Sequence, residues 1–128
     1  MKKLLALALV AVLLATSLVT GPALGAGTKK FGTHVTINFS QTTYSSKFFG
    51  KVKSKKAACR KKRKVLVFRK NTPNVKIAKT KSNKKGKWHT NLSGTPPPGK
   101  YFAKAKKKKL HHGTVICKKG KSPTITVP

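Results

Sequence analysis

From residue 33 onward, apolar side chains return at every second position and nowhere at the three-to-four spacing of a helix stripe. A half-buried strand requires that alternation, so the pattern restricts the chain to β structure. In 33–39 (THVTINF), Val35, Ile37 and Phe39 share one face. In 48–54 (FFGKVKS), Gly50 and Val52 face one way and Lys51 and Lys53 the other. The segment 65–69 (VLVFR) is apolar on both faces, as a central strand must be. Segment 75–80 alternates, 87–92 (KWHTNL) gathers Trp88, Thr90 and Leu92, and 100–106 (KYFAKAK) turns Tyr101, Ala103 and Ala105 inward. Segments 114–117 and 124–127 complete the set.

The breaks between them carry turn chemistry. Asn71-Thr72-Pro73-Asn74 is a tight turn, 82–86 (SNKKG) reads as a longer hairpin loop, and Pro96-Pro97-Pro98-Gly99 forces an extended segment and then a turn. His111-His112-Gly113 and Lys119-Gly120-Lys121 mark the last two. Roughly seven or eight short strands in one small domain predict an all-β fold, an immunoglobulin-like antiparallel β-sandwich.

The front of the chain has a different composition. Met1-Lys2-Lys3 precedes the apolar run 4–15 and a small-residue stretch 16–26 containing Pro22. These are the three parts of a secretory signal peptide. The run is shorter than the roughly 20 apolar residues a bilayer span requires, so cleavage after Gly25 or Ala26 is expected rather than anchoring. The expected organisation is a signal-peptide helix over 1–26, a flexible lead-in over 27–32 and the sandwich over 33–128. The mature protein is expected to be monomeric, without a membrane span, and secreted or held at the cell envelope.

Charge narrows the chemistry. The chain has 31 Lys and Arg and no Asp or Glu. No salt bridge can form except through the C-terminus, and no Asp or Glu exists for general acid–base catalysis, for orienting a catalytic His or for a calcium cage. Any Ser–His pair would lack its orienting acid. His34, His89, His111 and His112 come without a third ligand type, because Cys59 and Cys117 are expected to be oxidised to each other in an exporting chain. Neither an enzyme, a cofactor, a metal site nor a small-molecule substrate is expected. The sequons at Asn38-Phe39-Ser40 and Asn91-Leu92-Ser93 read as accidents, since Phe39 and Leu92 belong to the core pattern.

Several residues recur in a recognisable order: Phe49-Gly50-x-Val52-x-Ser54, Cys59, Arg63-x-Val65-x-Val67-x-Arg69, Gly86-Lys87-Trp88, Pro98-Gly99-Lys100-Tyr101-Phe102-Ala103 and Cys117. The order resembles small exported β-sandwich proteins of actinobacterial type, from high-GC Gram-positive soil bacteria. It is more loosely similar to carboxypeptidase-regulatory-like (transthyretin-like) domains. In those, a Gly-x-aromatic strand, a loop and a Gly-x-Tyr strand form a hairpin across the sandwich. The resemblance spans about residues 33–127 and implies the fold and the disulfide, but no activity. The Asp often found before the Gly-x-aromatic pair is missing from 80–85, and the basicity is particular to this chain.

What remains is the basic surface. Its densest clusters hold Lys55, Lys56, Arg60, Lys61, Lys62 and Arg63, then Lys84 and Lys85, then Lys106, Lys107, Lys108 and Lys109. The first also matches a nuclear-localisation pattern, which an exported chain cannot use. Arg60, Arg63 and Arg69 are the only arginines, and base reading usually relies on the guanidinium fork. The aromatics are expected in the core, leaving no platform for stacking bases. The expected partners are polyanions such as teichoic acid, anionic lipid headgroups or extracellular DNA, held electrostatically and without sequence preference. The alternatives are a structural surface protein whose charge only sets solubility and, more weakly, a cationic antimicrobial protein.

Overall fold

The computed structural model describes residues 27–128, and the expected signal peptide lies outside the described residues. These form twelve strands: β1 (Lys29–Phe31), β2 (His34–Val35), β3 (Asn38–Gln41), β4 (Ser45–Lys53), β5 (Lys64–Arg69), β6 (Val75–Lys81), β7 (Lys87–Ser93), β8 (Gly99–Ala105), β9 (Lys108–Leu110), β10 (Val115–Cys117), β11 (Gly120–Lys121) and β12 (Ile125–Val127). The eight alternating segments all appear, with 33–39 split into β2 and β3. Three short strands, β1, β9 and β11, were not expected.

Two antiparallel sheets make the body. In one, β2 and β3 share an edge of β4, and β7 takes the other edge. In the second, β11 and β12 share an edge of β8, followed by β5 and β6. β5 is central, and its Val65, Leu66 and Val67 are buried, as the doubly apolar run requires. The facing sides bring Val35, Ile37, Phe48, Val52 and Trp88 against Val65, Val67, Tyr101, Ala103, Ala105 and Val127. Across the interface the Phe48 and Tyr101 rings lie 5.0 Å apart. Burying each large apolar side chain here contributes about 1.5–3 kcal/mol, the main force holding a sandwich whose outer faces carry only positive charge.

Two glycines permit close approaches in the first sheet. A Cβ on Gly50 would fall on the Thr36 carbonyl, where the chain passes from β2 to β3 across β4. Gly86 takes a φ of +83° and accepts the Val52 N–H at 2.7 Å. The 82–86 loop is therefore not a hairpin: it carries the chain from β6 in one sheet to β7 in the other. The sequence could not distinguish these, because both need a glycine-containing turn.

A third, small sheet of β1, β10 and β9 closes one end of the sandwich. Lys29, Lys30 and Phe31 pair in parallel with Val115, Ile116 and Cys117, so the segment expected as a flexible lead-in is ordered structure, and the fold is not wholly antiparallel. Phe31 gives the reason, packing with Leu110 against a cluster of Cys59, Val115 and Cys117. The Cys59–Cys117 disulfide joins the short 3-10 turn Ala57–Cys59 to β10 across a sequence separation of 58.

Candidate polyanion interface

The connections at the capped end come from different parts of the chain: 54–63 leaves β4, 82–86 leaves β6, and 106–107 leaves β8. Main-chain bonds draw them together. Ser82 donates its N–H to the Arg63 carbonyl at 2.9 Å, and its carbonyl accepts the Lys62 N–H at 3.0 Å. Its hydroxyl donates to the Arg60 carbonyl at 2.6 Å and accepts the Arg63 N–H at 2.9 Å. The Lys106 N–H donates to the Lys64 carbonyl at 2.9 Å, and the Lys108 ammonium reaches the Lys61 carbonyl at 3.0 Å.

The three clusters picked from the sequence are thereby assembled at one end. Lys55, Lys61, Lys62, Lys84, Lys85, Lys106, Lys107 and Lys109 are exposed, while Lys56, Arg60 and Lys108 are half-buried. Lys108 is held below its ordinary pKa by burial, and then by the charges of Arg63, Lys61 and Lys62.

Arg63 is the exception. It is fully buried, the one buried charged side chain among the described residues, and cannot be a surface contact. Its guanidinium donates to the carbonyls of Cys59 at 2.7 Å, Lys106 at 2.8 and 3.2 Å, and Lys118 at 2.8 Å, and to the Thr33 hydroxyl at 3.0 Å. Burial lowers its pKa, yet a guanidinium stays charged at any ordinary pH. Four segments of the basic end converge on this one side chain. The signal was present in the sequence: Arg63 keeps the parity of the inward residues Val65 and Val67, whereas its lysine neighbours do not.

The opposite end is chemically different. The connections 42–44, 70–74 and 94–98 meet there, and Lys70 is the one lysine or arginine among them. They are closed by ordinary polar bonds: Tyr101 hydroxyl to the Pro97 carbonyl at 2.5 Å, Arg69 to the Pro98 carbonyl at 2.9 Å, and Ser46 hydroxyl to the Gly94 carbonyl at 2.5 Å. Tyr44, at the tip of the β3–β4 hairpin, is 91% exposed.

The aromatics are not all in the core either. On the outer side of the second sheet Phe68 and Phe102 stack with centroids 5.4 Å apart. The Lys104 and Lys121 ammonium groups cover them, Lys121 at 4.4 Å from the Phe102 centroid. On the outer side of the first sheet, half-buried Phe49 lies among exposed lysines.

Among the described residues no helix is long and apolar enough to cross a membrane, and no group of three or more His, Cys, Asp or Glu could hold a metal ion. Compared with known proteins, the chain matches no family model, no curated protein and no solved structure.

Proposed function

We propose that the mature chain is a secreted or envelope-associated, non-enzymatic, monomeric protein that adheres to extracellular polyanions through its basic end. The observation that carries this reading is the concentration of charge. Three separate lysine clusters converge at one end, and the loops of the other carry a single basic residue, Lys70. A surface charged only for solubility gains nothing from such polarity, whereas one that docks on an anionic layer gains an orientation and a faster encounter. Teichoic acid, anionic lipid headgroups and extracellular DNA all present that layer, and lysines, as hydrated point charges, would hold each without sequence preference.

We also propose the finer fold, an immunoglobulin-like or transthyretin-like sandwich of the exported actinobacterial type. Gly86-x-Trp88 leads into β7 and Gly99-x-Tyr101 opens β8, consecutive strands of opposite sheets, which supports that reading. The test of function is retention on immobilised heparin and duplex DNA as salt rises. Binding should collapse within a few hundred millimolar salt, and a Lys106→Ser/Lys107→Ser/Lys109→Ser variant should elute clearly earlier. Retention no better than that of a moderately basic control domain, or unchanged in the variant, would leave the structural-surface reading in its place.

A further inference from the structure

The outer face of the first sheet is a regular grid. Along β4 the outward positions are Lys47, Phe49, Lys51 and Lys53, and the register places Asn38 and His89 on either side of Phe49. Lys51 is opposite Lys87, and Lys47 is opposite Asn91. Charge therefore runs along β4, joined on one side by Lys87, while at the ring itself the flanking groups are a carboxamide and an imidazole. The face forms an open groove of about 800 Å³.

We infer that this face binds single-stranded nucleic acid, with one base stacked on Phe49 and phosphates held by Lys47, Lys51 and Lys53. Successive outward side chains on a strand are about 6.7 Å apart. A stacked nucleic-acid strand rises about 3.4 Å per nucleotide along its axis. A strand laid along β4 in step with these side chains is stretched to about twice its stacked rise. Its bases are pulled apart, and one can lie flat on the ring. The Asn38 carboxamide and the His89 imidazole, one strand spacing away on each side (about 4.8 Å), then meet the base edges. Lys47 now rests its ammonium 5.5 Å from the Phe49 centroid; its side chain is exposed and can swing to a phosphate as the base arrives.

The same layout argues against an acidic glycan, whose rings carry carboxylate and hydroxyls together, so that charge and hydrogen bonding would not separate along perpendicular directions. A nucleotide strand does separate them, phosphates along the chain and base edges to the side. The second sheet differs in what flanks its ring: half-buried Phe68 lies between Lys76 and buried Phe102, with neither carboxamide nor imidazole beside it.

The experiment uses the purified, disulfide-intact protein and fluorescence anisotropy with three probes: oligo-dT, an abasic oligonucleotide of equal length, and polygalacturonate. Oligo-dT should bind about tenfold more tightly than the abasic strand, the effect of one stacked base. Phe49→Leu, which keeps an apolar side chain, should abolish that difference, and Phe49→Tyr should keep it. The Lys106→Ser/Lys107→Ser/Lys109→Ser variant should weaken both strands alike and leave the ratio intact, which separates this face from the basic end. Equal binding of the two strands by the unsubstituted protein overturns the inference, as does equal weakening of both by Phe49→Leu. So does Phe49-dependent binding of polygalacturonate in place of oligo-dT.

Discussion

The two ends of the sandwich are fastened in different ways. At the less charged end the loops are closed by single side-chain-to-carbonyl bonds from Tyr101, Arg69 and Ser46. At the basic end a disulfide, a buried guanidinium on three carbonyls and a hydroxyl, and a serine bonded through both main chain and side chain hold the same kind of loops. The difference follows from charge. Like-charged loops repel in the folded state, and with no acidic side chain in the sequence no side chain nearby can neutralise them. The fasteners must therefore be covalent, or must use the dipoles of carbonyl groups.

The sharpest way to break this contrast is to remove the disulfide. Cys59→Ser/Cys117→Ser should cost about 4 kcal/mol by the chain-entropy argument, read from denaturant unfolding, and the loss should grow at low ionic strength as repulsion is less screened. Arg63→Met comes next. It leaves the Cys59, Lys106 and Lys118 carbonyls without their donor, and each buried unsatisfied group costs about 1–3 kcal/mol, so about 3 kcal/mol or more is expected. Hydrogen exchange should accelerate in 57–64 and 106–118 while 94–101 stays protected. Arg63→Lys should not rescue it, because an ammonium lacks the planar fork. At the other end Tyr101→Phe removes one hydrogen bond, worth about 1 kcal/mol, with exchange quickened only near 94–98.

The smallest effect is a pH dependence in which the two ends oppose each other. Lys108 is depressed in the folded protein, so just below the ordinary lysine pKa of about 10.4 the unfolded chain binds more protons and stability rises with pH. Burial raises Tyr101; the stability it contributes is complete below the ordinary tyrosine pKa of about 10 and is lost as pH climbs through the raised value. Thermal midpoints should climb toward pH 10 and turn over above it. Lys108→Gln should flatten the climb, and Tyr101→Phe should remove the turnover.

Much of the body was legible from the apolar pattern alone: β4 and β7 each bury one face, where side-chain parity admits only one orientation, and the doubly apolar β5 is buried on both. β1, β9 and β11 were not legible. KKF, KKL and GK carry too little apolar pattern, and they are strands only because a neighbouring edge offers its main chain, for β1 one far off in sequence. Of the candidate site, the exposed lysines were readable but their convergence was not, since that depends on Ser82 and on the crossing of 82–86 between sheets. Arg63 and Phe49 are a different case. Parity places Arg63 with Val65 and Val67, and Phe49 with Lys51 and Lys53, so both orientations follow from the alternation. Grouping Arg63 with its basic neighbours and Phe49 with the core hid them.

The partners of Arg63 have one further consequence. Apart from Thr33, it grips only main chain, at positions 59, 106 and 118. At 106 and 118 other residues could stand as well, because every peptide offers the same carbonyl. Lysines 106 and 118 can be exchanged for serine or glutamine without loosening the clamp. The charge of that end is therefore an adjustable quantity, free to drift or be tuned over many substitutions while the architecture beneath it stays fixed.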